Sequence, residues 1–211
     1  MSGLFPPSNN ALPGLSGLLG LLISPRTRQE WNDRFSHWER AASVTEAGTI
    51  ERAQSNVIAA LSDNAWLRQE QVQILQQGSY YNNTNVRTEA DIDLRVLHRS
   101  LKIDYAANVV QDSARAVLGY SDYGLTFGQI FDRMRTELTV DLARRFGQQN
   151  MVAGQKALRI KGITGSRAEV DVVPAIRLHH VWWQPDAMRY ETVEGVAILS
   201  RDGRWTLNFP E

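Results

Sequence analysis

Between Ala90 and Leu97 the chain sets Asp91, Asp93 and Arg95 in strict alternation with Ile92, Leu94 and Val96. A period of two is the pattern of a β-strand with one packed face and one open face, so both carboxylates leave on the side opposite the aliphatics. Two acids held that close repel, and each raises the pKa of the other unless a cation sits between them. Mg²⁺ suits such a pair, because it takes hard oxygen ligands in near-octahedral geometry and is usually held by one or two carboxylates together with substrate phosphates.

A second device lies just upstream. The apolar run Gln71 to Leu75 reads as a strand, closed by Gly78-Ser79. A Gly-Ser turn leading into one turn of helix would offer backbone N–H groups and a hydroxyl to an anion. A third acid, Asp171, stands in Ala-Glu-Val-Asp-Val-Val-Pro-Ala, where it alternates with Val170 and Val172. Taken singly, these features are ordinary: Gly and Ser are common turn residues, and an Asp-x-Asp strand is most often a solvated edge. If the face carrying Asp171 meets the one carrying Asp91 and Asp93, three carboxylates converge beside a phosphate cradle.

The fuller pattern Gln-Gly-Ser-Tyr-x-x-x-Thr-x-Val-x-x-x-x-Asp-Ile-Asp-Leu, with Asp171 on a later strand, resembles the polymerase-β-type nucleotidyltransferases. Within them it looks most like the bacterial CD-NTases, the cyclic-oligonucleotide synthases of anti-phage signalling related to cyclic GMP-AMP synthase and oligoadenylate synthase. The resemblance runs from about Thr45 to Pro210. It implies an α+β fold, a mixed sheet flanked by helices. It also implies a Mg²⁺-dependent enzyme with two ions, Mn²⁺ being an alternative, in which Asp91 and Asp93 hold both ions. Asp171 would hold the ion that lowers the pKa of the attacking hydroxyl, and Gly78 and Ser79 would bind the β and γ phosphates. Thr84, with Asn83 and Arg87 behind it, is a second-rank candidate for phosphate or loop contacts. The family's catalytic domain continues into a helical lobe that helps hold the bases, so this chain is expected to be an amino-terminal lobe.

Composition narrows the partners. With 211 residues, 43% hydrophobic and 22% charged, the chain suits one ordinary globular domain. Lys+Arg 23 against Asp+Glu 23 leaves zero formal charge, which argues against a protein that grips long nucleic acid and fits nucleoside triphosphates better. The absence of cysteine excludes disulfides and thiolate zinc sites and is compatible with the cytoplasm.

Residues 1–25 are read as an arm and 26–211 as the nucleotidyltransferase domain. The arm carries Leu15, Leu18, Leu19 and Leu22 at helical spacing, with no Lys or Arg before Arg26. It is too short for a membrane span, which needs about 20 apolar residues, and lacks the basic start of a signal peptide. A flexible or docking arm is expected, offering a route to oligomers. Arg28 to Arg40 reads as a helix whose Trp31, Phe35 and Trp38 share a packing face. A second helix begins near Ser43 to Thr45, with a capping box from Ser43 to Glu46, and carries Ile50, Ala53, Val57, Ile58 and Leu61. Leu101 to Tyr123 reads as a connection with a short helix over Gln111 to Leu118. Thr126 to Phe146 reads as a long helix capped by Thr126 and stopped by Gly147. Strands are expected over Lys156 to Ile160, Ala168 to Ile176, Gly195 to Leu199 and Arg204 to Asn208, the last two joined at Asp202-Gly203.

His179-His180 beside Trp182-Trp183 invites a metal or stacking reading. Adjacent residues of an extended segment point in opposite directions and chelate poorly, so these are read as loop and core. Lys156, Arg159 and Lys161 are weighed as triphosphate contacts against a solvated strand face. Two functions of different class stay open: a cytoplasmic synthase of a cyclic or short linear nucleotide messenger sensed by a separate effector protein, and a catalytically silent nucleotide-binding or assembly module. Among enzymes, a transferase adenylylating a drug, protein or RNA end is the alternative.

Overall fold

Ile130, Met134, Leu138, Leu142 and Phe146 recur every fourth residue, and with Phe131 they give one helix face that must be buried. In the computed structural model this is helix α4, Phe127–Phe146, following α1, Val44–Ser62, α2, Ala65–Gln69, and α3, Gln111–Leu118. The structure describes residues 44–77 and 92–209, with Gln29. The chain divides into two units, Met1–Arg40 and Ala41–Glu211, and apart from Gln29 the described residues lie in the second. The arm, the Ser43/Glu46 capping box and, Gln29 aside, the helix expected over Arg28 to Arg40 lie outside the described residues.

Among the described residues seven strands form one mixed sheet: β1, Gln73–Gln77; β2, Ile92–Tyr105; β3, Met151–Ala153; β4, Leu158–Ile160; β5, Val170–Gln184; β6, Arg189–Leu199; β7, Trp205–Asn208. The order runs β1-β2-β5-β4-β3, with β6 also on β5 and β7 on β6. Only β2 and β5 pair in parallel; the other pairs are antiparallel. A parallel pair requires a long crossover, and α3, α4, β3 and β4 lie within it. β5 is bordered by β4 as far as Val172 and by β6 from Ile176. Pro174, which has no N–H to donate, occupies the gap where the neighbour changes.

The alternation of β2 and β5 decides where the core lies. Ile92, Leu94 and Val96 with Val170, Val172, Ile176 and Leu178 form a buried face under Ile50, Ala53, Val57 and Leu61 of α1 and the apolar stripe of α4. Each such side chain contributes roughly 1.5–3 kcal/mol of transfer free energy, so the two helices are fixed to one side of the sheet and the other face is left to Asp93, Arg95 and Asp171.

Several expectations need correction. β1 lies two residues later than Gln71 to Leu75. β2 runs on to Tyr105, where a connection was expected, across a register shift between His98 and Leu101. β5 continues to Gln184 and β6 begins at Arg189, so His179, His180, Trp182 and Trp183 are strand residues rather than loop. β3 was not foreseen, and β4 starts at Leu158 rather than Lys156. Helix α3 agrees with its expected limits, and Thr126 caps α4 through a capping box with Gln129.

Candidate active site

Asp93 of β2 and Asp171 of β5 are directly paired residues of adjacent parallel strands. Such strands lie about 4.8 Å apart, and paired residues project to the same face. Here that is the face opposite the core, since the flanking Ile92, Leu94, Val170 and Val172 are all buried. The row extends both ways: β1 sets Gln77 beside Asp93, β4 sets Arg159 beside Asp171, and β3 sets Val152 beside Arg159. Five strands thus place Gln77, Asp93, Asp171, Arg159 and Val152 in one line.

Arg159 grips Asp171 with a two-pronged contact, Nε to Oδ1 at 2.9 Å and a terminal nitrogen to Oδ2 at 3.1 Å. Its remaining terminal nitrogen reaches Oε1 of Glu169 at 3.2 Å. Glu169 lies just before the start of β5, two residues ahead of Asp171. The planar fork of a guanidinium matches a carboxylate in this way, with two charge-assisted bonds at once. Arg95, one step along the same face from Asp93, is half-buried. Its Nε is buried without a hydrogen-bond partner among the described residues, and desolvation lowers its pKa.

The donors of this row are carboxylate oxygens, the chemistry that a hard divalent cation takes, and the guanidinium on Asp171 marks a position that stabilises positive charge. Asp93 and Asp171 therefore fit the role of metal ligands. Among the described residues no three His, Cys, Asp or Glu side chains form a metal-binding group. Asp91, Gly78, Ser79, Thr84, Asn83 and Arg87 all lie outside the described residues, in the interval between the end of β1 at Gln77 and the start of β2 at Ile92.

The histidine pair does not chelate. His179 Nδ1 meets the Tyr120 hydroxyl at 2.8 Å, whereas His180 Nδ1 meets Asp104 Oδ2 at 2.7 Å. Of the basic candidates, Arg159 belongs to the acidic row, while Lys161 donates to the backbone oxygen of Gln149 at 3.0 Å. Glu169 was not singled out from the sequence, although it stands two residues ahead of Asp171. The pairing of Arg159 with Asp171 depends on the β4–β5 register, for which the sequence carries no local signal.

A mixed sheet with α1 and α4 packed on the face opposite the paired acids is the polymerase-β-like fold shared with the solved structures it resembles. No family model matches the chain. Comparison with characterised proteins finds bacterial cyclic-nucleotide synthases. The chain is similar to the cyclic dipyrimidine nucleotide synthase CdnE of Legionella pneumophila, 29% identical over 185 residues, covering 86% of this chain and 59% of the relative. It is similar also to the CdnE of Cecembia lonarensis, 27% identical over 184 residues, covering 85% of this chain and 56% of that one. Among solved structures it resembles the Rhodothermus marinus CdnE c-UMP-AMP synthase with Apcpp and Upnpp, at a TM-score of 0.62 and 21% identity, covering 84% of this chain and 56% of that one. That likeness speaks for the fold. The chain spans a little over half the length of the curated relatives it matches. No helix among the described residues is long and apolar enough to cross a membrane.

Proposed function

We propose that the chain carries the catalytic lobe of a nucleotidyltransferase that joins nucleoside triphosphates into a cyclic or short linear oligonucleotide messenger. In this reading it works in the cytoplasm in anti-phage defence, and a separate effector protein senses the product. The observation that carries the reading is the side-by-side placement of Asp93 and Asp171 on the open face of the sheet. The similarity to cyclic-nucleotide synthases supports it.

In the reaction, a nucleotide hydroxyl oxygen forms a bond to the α-phosphorus of a second nucleotide, the bond to the pyrophosphate oxygen breaks, and the hydroxyl proton leaves. Two Mg²⁺ ions, or Mn²⁺ in their place, would supply the charge that steadies the attacking and leaving oxygens when bound. Asp93, with Asp91, would hold both ions; Asp171 would hold the one next to the attacking hydroxyl. Gly78 and Ser79 would seat the β and γ phosphates, with Thr84 in support. The rigid β2–β5 pair does the positioning, since two strands locked in register hold their carboxylates at fixed separation and leave little reorganisation to the moment of reaction.

The test is incubation of the protein with Mg²⁺ and labelled nucleoside triphosphates beside Asp91→Ala/Asp93→Ala. A small, phosphatase-resistant product that the variant fails to make supports the messenger synthase. Label on a macromolecule points instead to an adenylylating transferase, and no acid-dependent product points to a silent binding module.

A further inference from the structure

We propose that Arg159 is an internal counter-ion for Asp171, occupying the acid in the metal-free protein and giving it up when a divalent cation arrives, with Glu169 retaining the released guanidinium. The inference rests on the reading of Asp171 as a metal ligand. Three observations carry it.

The first is stoichiometric. Among the described residues, two guanidinium nitrogens meet Asp171 and one meets Glu169, so one cation is shared by an acid of β5 and an acid just before its start. A carboxylate offers about four lone-pair sites, and the two-pronged contact takes two of them. A metal ion could reach the remainder, but it would then lie within a few ångströms of a positive guanidinium on the same carboxylate. Like charges so placed disfavour one another, and the weaker bound of the two must yield.

The second concerns access. The Arg159 side chain is 49% exposed and Asp171 22%. An ion can reach the acid from solvent without opening the fold, and the arginine can move without leaving a cavity. The third concerns what the arginine retains. Glu169 is not part of the Asp93–Asp171 row, so its hold on Arg159 survives the loss of Asp171. The guanidinium then stays at the rim of the row, beside any anion that accompanies the metal.

These features make a competitive device. An arginine that served only to orient Asp171 would remain bound to it with metal present, and removing it would weaken metal binding. An arginine that occupies the acid in place of metal has the opposite effect. The experiment is Mn²⁺ binding to the nucleotide-free protein, followed by the electron paramagnetic resonance signal of free Mn²⁺, for wild type, Arg159→Gln, Arg159→Lys and Asp171→Asn, each checked for native circular dichroism. Arg159→Gln is expected to tighten Mn²⁺ about tenfold, the effect of removing one neighbouring like charge. Arg159→Lys, which keeps the charge but not the fork, should fall between. In the Asp171→Asn background the Arg159→Gln gain should vanish. Unchanged or weaker Mn²⁺ binding in Arg159→Gln overturns the proposal while leaving Asp171 as a ligand. If Asp171→Asn alone leaves Mn²⁺ binding unaltered, the metal-ligand reading of that acid fails, and the counter-ion role fails with it.

Discussion

Asp93 and Asp171 come from strands separated by two α-helices, a 3-10 turn and two short strands, yet they are paired residues of the same parallel ladder. Their side chains project to the open face, away from the core that fixes β2 and β5 in register. Removing either carboxylate should therefore affect chemistry far more than folding. Under the proposed function, Asp93→Asn is expected to lower nucleotide joining on the order of 10²- to 10³-fold or more, the scale set by deleting one preorganised electrostatic group, with the far-ultraviolet circular dichroism of the wild type retained. The check is product formation from labelled nucleotides at saturating Mg²⁺, beside a circular dichroism spectrum.

How far the site could be read from sequence follows from which signals are local. The alternation around Asp93 and around Asp171 is local, and it assigned both acids to the open side of their strands. The stripe of α4 and its Thr126 cap are local too, and they match. The register that pairs β2 with β5, and Arg159 with Asp171, is a long-range property that no window of sequence contains. The strand ends were hidden for a different reason. Past Leu97, His98 and Ser100 are polar yet buried, held by their own hydrogen bond at 3.0 Å, so the alternation on which the strand reading depended breaks down. Past Ile176, both His179 and His180 have polar partners on opposite faces, which again removes the alternation of apolar and polar.

His98 gives a prediction for pH. It is fully buried, stacked on Trp66 with ring centroids 5.7 Å apart and met edge-on by Tyr123. Its Nδ1 accepts from the Ser100 backbone N–H at 3.1 Å, which assigns the proton to Nε2, 3.6 Å from Glu70 Oε2. Burial holds the imidazole below its ordinary value near 6.5, outweighing the opposing pull of Glu70, and Arg99 adds to the depression. The unfolded chain therefore takes up a proton near that pH that the folded chain refuses, and stability falls as pH drops through about 6.5. Glu70 is held below 4.5, chiefly by the hydrogen bond from Tyr123 and also by Arg99 against the opposing effect of burial, so its contribution is lost only at lower pH. Urea midpoints at about pH 8 and about pH 5.5 should differ more in wild type than in His98→Asn; equal differences would remove His98 as the cause. His179, also depressed by burial, is common to both proteins and cancels in the comparison.

The cap of α4 can be tested alone. Thr126 Oγ1 accepts from the Gln129 N–H at 3.3 Å, while Gln129 Oε1 accepts from the Thr126 N–H at 2.9 Å. Because α4 supplies one wall of the core, fraying its first turn is felt by Phe131. Thr126→Ala should cost about 1 kcal/mol in a urea unfolding curve, and Thr126→Ser much less.

Asn64 joins local and long-range structure in one side chain. Its Oδ1 accepts from the Leu67 N–H at 2.8 Å and so caps α2, and its Nδ2 donates to Glu137 at 2.9 Å and to Asp141 at 2.5 Å across on α4. Asp141 is buried and otherwise paired with Arg144 at 2.9 Å, so the amide is one of two donors that compensate its burial. Asn64→Ala removes the cap and one of those donors together, with an expected cost of about 1–3 kcal/mol. Asn64→Ser can still cap α2 but cannot reach both carboxylates, and should recover part of the loss. Asn64→Asp preserves the cap while setting a third carboxylate against Glu137 and Asp141, and like charges at that distance repel. It should therefore be no more stable than Asn64→Ala. Should Asn64→Asp instead match wild type in urea, the cap alone accounts for Asn64, and the link from α2 to α4 contributes nothing measurable.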